Sequence, residues 1–226
     1  MSAIRAGLFD LDGTLLDTAG DLVASANRMR EALGLAPLPA DTIASFIGKG
    51  TRRLVERCLS ATLDGRIDAP ELDRAMALFM PLYTEENGRH ARLYPGVVEG
   101  LREFAADGLR LACVTNKPEG FTLPLLQQLD LIQHFEFVVS GDSLPRQKPD
   151  PLPFAHACER LGFLPAEAVV IGDSQNDAIA GRAAGCKVIC VSYGYREGVP
   201  AQQLPCDALV DDLRQAAALV RSWNRV

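Results

Sequence analysis

The sequence lacks the features that membrane proteins and zinc proteins need. None of its apolar runs approaches the ~20 residues that a membrane-spanning helix requires. Its three histidines are scattered, and its six cysteines form no C-x-x-C pair, so a zinc site built from these residues is not expected. Acidic residues interrupt the first apolar run, which is not typical of a secretory signal peptide. Several cysteines lie in apolar stretches and are predicted to be reduced core thiols, which favours a cytoplasmic protein.

An excess of positive charge is also missing. The chain has 29 acidic residues against 23 lysines and arginines, which gives a formal net charge of −6 at pH 7. Sequence-independent binding of nucleic acid needs a basic surface, so that function is not expected. A small anionic substrate is compatible with this charge, because a local cationic pocket can exist on an acidic protein.

After about residue 94 the chain alternates between short apolar segments and helical patterns. Predicted strands lie at residues 3–9 and within the segments LRLACVT, FEFVVS, AVVIGD and KVICVS. Apolar strands that alternate strictly with helices predict a parallel sheet with helices on both faces. We therefore predict the α/β class, with a Rossmann-like core of three layers, α/β/α.

The segment that follows the first predicted strand shows helical patterns only. Leu22, Ala26, Met29 and Leu33 recur at helical spacing, and similar apolar faces continue over residues 41–90. We predict that residues 1–15 and 93–226 form the core and that residues 16–92 form an inserted α-helical cap. An independent helical domain is the alternative, but it would leave the first strand without partners.

Polar side chains follow three of the predicted strands at the point where each strand ends. Asp10 and Asp12 follow the first strand, Thr115 and Asn116 follow LACV, and Asp173 follows AVVIG. Ligands of open parallel sheets bind outside the carboxyl ends of the strands. The sequence therefore predicts one pocket that contains all of these side chains.

The residue types in this pocket suit phosphoryl transfer. Asp10 and Asp12 are two residues apart, so in an extended chain both point the same way, and one can attack while the other handles protons. A carboxylate, with a reference pKa of about 3.9, is ionised at neutral pH and needs no base to attack phosphorus. Asp10 and Asp173 offer the hard oxygen ligands of Mg2+. Mg2+ and Lys148, in the segment RQKPDP, would offset the repulsion between the carboxylate and a phosphate.

The phosphoryl oxygens have their own predicted partners. The Thr115 hydroxyl and the Asn116 backbone N–H can bind them, and NKPEG opens a helix whose N-terminus favours an anion. Lys117, in contrast, is expected to be an exposed charge at a helix start and is given no role. Thr14 and Asp17 are expected to support the turn.

Four motifs occur in order along the chain: D-x-D-G-T, the threonine after the second core strand, the lysine of KPDP, and GDSxND. Together they resemble the haloacid dehalogenase-like hydrolase superfamily. The resemblance implies that Asp10 is the nucleophile and Asp12 the acid/base. It also implies that Asp10, the Asp12 backbone carbonyl and Asp173 bind Mg2+, that Asp177 supports the metal, and that Lys148 balances charge. The second aspartate, Asp12, is typical of the phosphatase branch.

Longer segments narrow the resemblance further. FIGKG, LACVTNKPEGFTLPLL and VVSGDSLPRQKPDPLP resemble the bacterial phosphoglycolate phosphatase family. This resemblance implies hydrolysis of 2-phosphoglycolate to glycolate and phosphate, with the cap recognising a small carboxylate. Lys49, flanked by Gly48 and Gly50, is the candidate for that recognition, whereas Arg52 and Arg53 are expected at the surface.

Three alternatives remain at this stage. The substrate could be another small phosphomonoester, such as a sugar phosphate, because the core motifs demand only a phosphoryl group. A sugar phosphomutase would use the same aspartyl-phosphate but protect it from water. A non-catalytic binder of Mg2+ or phosphate would have no use for an acid/base residue. The expected partner is a small phosphomonoester, and the expected assembly is a monomer or homodimer.

Overall fold

The apolar segments predicted as strands pair into one sheet in the computed structural model, which describes residues 3–225. Residues 1, 2 and 226, which the predicted core also includes, lie outside the described residues. Six strands lie in the order β5-β4-β1-β6-β7-β8, and every neighbouring pair is parallel, whereas β2 and β3 form a separate antiparallel pair. In chain order the strands are β1 (Ala6–Phe9), β2 (Leu16–Asp17), β3 (Arg92–Leu93), β4 (Arg110–Val114), β5 (Phe137–Val139), β6 (Ala168–Gly172), β7 (Lys187–Val191) and β8 (Ala208–Val210).

Helices cover both faces of this sheet. Leu8 and Phe9 are adjacent on β1 but belong to different core clusters, because successive side chains of a strand point to opposite faces. The helices are α1 (Ala19–Ala32), α2 (Ala40–Ala44), α3 (Gly50–Ser60), α4 (Ala69–Glu86), α5 (Val97–Ala106), α6 (Glu119–Gln128), α7 (Leu152–Leu161), α8 (Gln175–Ala184) and α9 (Leu213–Trp223). Helices α5 and α9 pack on the face that contains Phe9, and α7 and α8 on the face that contains Leu8. The predicted α/β class with three layers is confirmed.

The end of the core was not predicted in detail. Neither β8 nor α9 is among the predicted elements, and β8 has only three residues, too few to show a sequence period. None of the helices within residues 3–225 combines the length and the apolar character that crossing a membrane requires.

Helices α1 to α4 lie between β2 and β3 and have an apolar cluster of their own. Met29, Val55 and Phe79 are fully buried in it, and Phe121 and Tyr195 of the core pack against the same cluster. The chain therefore leaves the core after β2 and returns to it at β3. The helical insert packs on the core through Phe121 and Tyr195. The domain boundaries at residues 16 and 92 remain a prediction.

A buried aspartate ties the start of the insert to its end. Asp21, in the first turn of α1, is fully buried, and its carboxylate accepts the backbone N–H of Gly88 at 2.7 Å and of His90 at 2.6 Å. Both of these residues follow α4, just before the chain returns to the core. The carboxylate thus provides an acceptor for both backbone donors, of which that of Gly88 would otherwise be buried without a partner.

We predict that Asp21→Ala lowers the free energy of unfolding by about 2–4 kcal/mol, because it removes two hydrogen bonds to a charged acceptor. Urea unfolding followed by circular dichroism measures the change. Asp64→Ala is the matched control, since Asp64 is exposed on the same insert and should leave stability unchanged. An equal stability of the two variants would contradict the anchoring role of Asp21.

Candidate active site

The register of the sheet brings the predicted polar residues to one edge. Phe9, the last residue of β1, lies opposite Cys113 of β4 and Ile171 of β6. The strands therefore end at nearly the same level, and the residues that follow them meet. Asp10 continues the pairing, since its N–H donates to the Ile171 carbonyl at 3.0 Å.

A cavity of about 40 Å³ lies between this edge and the helical insert. On the side opposite the sheet edge, the insert covers the cavity through the loop that leads into α3 and through α4. From the core the predicted residues Asp10, Asp12, Thr115, Asn116 and Lys148 line it, and from the insert Gly48, Gly50, Thr51 and Tyr83 do so. The fold thus brings together the predicted nucleophile, acid/base, phosphate-binding residues and two of the three predicted cap residues.

Lys148 is buried, and its ammonium group contacts three oxygen atoms of the core. Its Nζ lies 2.7 Å from Asp10 Oδ1, 2.7 Å from Asp177 Oδ1 and 2.8 Å from the Val114 carbonyl oxygen. Burial alone would lower the pKa of Lys148, but the carboxylates of Asp10 and Asp177 outweigh it and raise the pKa above the ordinary value. The side chain is therefore a fixed positive charge beside the predicted nucleophile.

Asn116 holds the backbone around Lys148 in place. Its side-chain amide donates to the Lys148 carbonyl at 2.9 Å and accepts the Lys148 N–H at 3.0 Å. The same amide nitrogen donates to the carbonyl of Gly48 in the insert at 3.0 Å. The sequence predicted only the backbone N–H of Asn116 as functional, because side-chain contacts between residues 32 positions apart leave no sequence pattern.

Three buried carboxylates, those of Asp10, Asp173 and Asp177, have ligand atoms within 4.8 Å of one another. Burial is the main reason that the pKa of Asp10 rises to about 7, repulsion by Asp177 adds to it, and Lys148 opposes it. Burial, followed by Asp10 and Asp177, also raises the pKa of Asp173 well above its ordinary value. One ammonium does not balance three carboxylates, so this donor set fits a further cation that prefers oxygen ligands.

The carboxylates of Asp177 and Asp173 accept hydrogen bonds from different neighbours. Both oxygens of Asp177 are engaged, one by Lys148 and the other by the backbone N–H and hydroxyl of Ser174. Asp173 accepts the Thr14 hydroxyl at 3.0 Å and the backbone N–H of Tyr195. Both Asp173 and Asp177 thus accept hydrogen bonds on both oxygens, and Asp177 also holds Lys148.

Steric constraints explain the glycine of D-x-D-G-T. Gly13 has a φ of +91°, in the region that favours glycine, and a Cβ there would overlap the Asp173 carboxylate. The backbone of the first motif can approach the Asp173 side chain only because residue 13 has no side chain.

Asp12 is held in part by Lys117, a residue that was given no role from the sequence. Its Oδ1 accepts the Thr18 hydroxyl at 2.8 Å and lies 3.2 Å from Lys117 Nζ. Lys117 is only 4% exposed, so the expectation that it is a surface charge is wrong. Burial alone would lower the pKa of Lys117, but Asp12 and Tyr83 outweigh it and raise the pKa above the ordinary value. The position of Lys117, one residue after the predicted pocket residue Asn116, could have indicated from the sequence that it lies in the pocket.

Tyr195, in the loop after β7, is a second residue that the sequence did not indicate. Its hydroxyl accepts the backbone N–H groups of Thr18 and Ala19, both at 2.8 Å, and donates to Asp17. Since the Tyr195 N–H also donates to Asp173, one residue joins the acidic cluster to the start of the insert.

Lys49 does not lie among the residues that line the cavity. Its side chain is 44% exposed, and its Nζ lies 3.3 Å from Glu197 of the core. Its predicted contact with substrate therefore remains a prediction. Arg52 is exposed and pairs with Asp73, as expected of a surface residue, whereas Arg53 is largely buried against Glu56, so the expectation that it lies at the surface is wrong.

Comparison with known proteins agrees with this geometry. A family model described as haloacid dehalogenase-like hydrolase matches residues 8–191. A phosphoglycolate phosphatase of Nitrosospira multiformis is 53% identical over 218 residues, which cover 96% of each chain. One of Thiobacillus denitrificans is 50% identical with the same coverage. The crystal structure of a "predicted phosphoglycolate phosphatase" from Haemophilus somnus is 32% identical and matches with a TM-score of 0.90 over 97% of this chain and 99% of that chain.

We predict that a divalent cation stabilises the protein, because it would relieve the repulsion among the three buried carboxylates. At a concentration 100 times its dissociation constant, a ligand specific for the folded state adds about 2.7 kcal/mol. Titration of Mg2+, Mn2+ and Ca2+ into chelator-treated protein, followed by thermal unfolding, measures the effect.

The Asp173→Asn variant should lose this stabilisation, whereas Asp64→Asn, at an exposed position of the insert, should keep it. If Asp173→Asn responds to the cations as the parent protein does, the cluster is not the binding site.

Proposed function

This chain belongs to the haloacid dehalogenase-like hydrolases, and on that premise we propose that it is a Mg2+-dependent phosphatase that hydrolyses 2-phosphoglycolate to glycolate and phosphate. Its enzyme class, phosphoric monoester hydrolase, is that of curated relatives that are 42–53% identical over more than nine-tenths of the chain. The observation that carries the proposal is the pairing of Asp10 with Lys148 in a cavity that also contains a second carboxylate, Asp12.

Asp10 is the proposed nucleophile. Its carboxylate oxygen bonds to phosphorus while the bond between phosphorus and the leaving oxygen breaks, which leaves an aspartyl-phosphate on Asp10. Lys148, 2.7 Å from Asp10 Oδ1, offsets the repulsion between the carboxylate and the dianionic phosphate. Thr115 and Asn116 line the same cavity and would bind the phosphoryl oxygens.

Asp12 is the proposed acid/base. It gives a proton to the leaving oxygen in the first step and takes a proton from water in the second. That water bonds to phosphorus, and the bond from phosphorus to Asp10 breaks, so the carboxylate is regenerated and phosphate is released. The Thr18 hydroxyl and Lys117 fix the direction of the Asp12 carboxylate for both transfers.

The residues that would hold Mg2+ are Asp10, the backbone carbonyl of Asp12 and Asp173. When bound, the cation supplies positive charge that stabilises the charge on the phosphoryl oxygens in the transition state. Asp177 would support the site indirectly, through its contacts with Lys148 and Ser174.

Residues 16–92 are the proposed cap. Its loop at Gly48 to Gly50 lies over the strand ends, and closure of such a cap excludes water from the reaction. The small size of the cavity supports a small phosphomonoester as the substrate. We further propose a cytoplasmic enzyme, monomeric or homodimeric, that does not bind nucleic acid; its six cysteines are free thiols.

We predict that Asp10→Asn lowers kcat by about 10,000-fold or more, because the amide cannot form the aspartyl-phosphate. Phosphate release from 2-phosphoglycolate with Mg2+ measures the loss, and mass spectrometry of acid-quenched enzyme should find no phosphoryl adduct. Asp142→Asn, an exposed aspartate of the core, is the matched control and should retain activity. Repeated turnover by Asp10→Asn would refute the nucleophile assignment.

We predict that 2-phosphoglycolate has a kcat/KM at least about tenfold above that of any hexose phosphate, because a pocket discriminates against groups that it has no room for. A panel of about thirty phosphomonoesters, with Mg2+ and with chelator, tests this ranking. A hexose phosphate at the top of the panel would favour the sugar phosphatase alternative. Transfer of phosphate from a sugar bisphosphate to a sugar, rather than to water, would favour the phosphomutase.

A further inference from the structure

Two lysines line the cavity, and they differ in the groups that their ammonium nitrogens contact. An ammonium group has three N–H donors. The Lys148 ammonium donates to Asp177 and to the Val114 carbonyl and forms a salt bridge with Asp10, all in the core. Lys117 has two acceptor groups among residues 3–225, the Asp12 carboxylate and the Tyr83 hydroxyl. Lys117 therefore presents its positive charge in the cavity between Asp12 of the core and Tyr83 of the insert.

Lys117 and Tyr83 form a rigid polar pair at the junction of core and insert. Lys117 follows β4 in the core, Tyr83 belongs to α4 in the insert, and they are 4% and 1% exposed. The ammonium also lies 4.9 Å from the centre of the Tyr83 ring, and that ring packs on Phe121 at 4.3 Å. Since the Tyr83 oxygen accepts a hydrogen from Lys117, its own O–H hydrogen remains free to donate.

The place of this pair matches the non-reacting end of the proposed substrate. Asp12 protonates the leaving oxygen, so the leaving group lies next to Asp12, and Lys117 Nζ is 3.2 Å from Asp12 Oδ1. In 2-phosphoglycolate a single methylene separates the leaving oxygen from the carboxylate. With the leaving oxygen at Asp12, the carboxylate would lie within reach of Lys117. Lys49, the cation predicted for this purpose, points instead toward Glu197.

We propose that Lys117, assisted by the Tyr83 hydroxyl, binds the carboxylate of the substrate and gives the enzyme its preference for phosphomonoesters with an anionic leaving group. The inference rests on the proposed function, since it places the leaving group by the role of Asp12. Charge-assisted hydrogen bonds in a dry pocket are stronger than neutral ones, so Lys117 discriminates between a carboxylate and a neutral group of similar size.

The test compares matched pairs of substrates in variants of the full-length enzyme. One pair is 2-phosphoglycolate and 2-hydroxyethyl phosphate, in which a hydroxymethyl group replaces the carboxylate. The second pair is 2-phospholactate and its hydroxymethyl analogue. For each pair the ratio of kcat/KM values, carboxylated over neutral, reports the preference. Any disturbance of Asp12 slows both members of a pair and cancels from the ratio.

Lys117→Met should lower this ratio about 10- to 100-fold, as expected for a lost hydrogen bond between two charged groups. Tyr83→Phe keeps the ring on Phe121 and should lower the ratio in the same direction by about two- to tenfold. The control is Lys187→Met, at a half-exposed lysine that pairs with Asp207 on the core, and it should leave the ratio unchanged. Circular dichroism verifies that each variant is folded.

The outcomes separate the inference from the proposed function. An unchanged ratio in Lys117→Met, with the parent enzyme still preferring 2-phosphoglycolate, overturns the inference and leaves the function intact. If the parent enzyme prefers the carboxylated substrate only in the 2-phospholactate pair, the proposed substrate is wrong. The effect of Lys117→Met on that pair still decides the inference. A parent enzyme without preference for carboxylates overturns both. If Lys117→Met is inactive on all four substrates, calorimetric affinities for them in the Asp10→Asn background supply the ratio.

Discussion

The arrangement depends on one ion pair at the edge of the sheet, between the Lys148 ammonium and the Asp10 carboxylate. Without Lys148, burial of Asp10 beside Asp173 and Asp177 would place three like charges in a dry environment, where repulsion is strong. The lysine offsets part of this repulsion, and the strain that remains is what a cation would relieve. The same imbalance of charge would favour a bound cation, and that cation together with Lys148 would attract an anionic phosphoryl group.

The sheet supplies the precision of this site, and the insert supplies its enclosure. Asp10 and Asp173 follow paired neighbouring strands, so their relative position is set by backbone hydrogen bonds rather than by flexible loops. The insert adds Tyr83 and the loop at Gly48, and Asn116 connects this loop to the backbone of Lys148. Core and insert therefore meet through polar contacts at the reacting groups and through apolar contacts at Phe121 and Tyr195.

The two lysines of the cavity have different surroundings and different proposed roles. Lys148 contacts core acceptors beside Asp10, the proposed nucleophile, whereas Lys117 bridges Asp12 and the insert. This division explains how a small acidic protein can bind a substrate with negative charge at both ends. It also places recognition of the leaving group on a core residue, with the insert contributing a hydroxyl and the walls of the cavity.

The sequence by itself determined the class of fold, and it predicted the edge of the sheet at which the candidate site lies and most of the side chains there. It could do so because apolar strands, helical periods and polar residues at strand ends are local patterns along the chain. Only the tertiary structure decided the partners: that Lys117 is buried against Asp12 and Tyr83, that Lys49 turns to Glu197, and that Tyr195 joins Asp173 to the insert. These contacts join residues far apart in the chain, and which side chain a buried charge meets follows from packing in three dimensions, which no local pattern records.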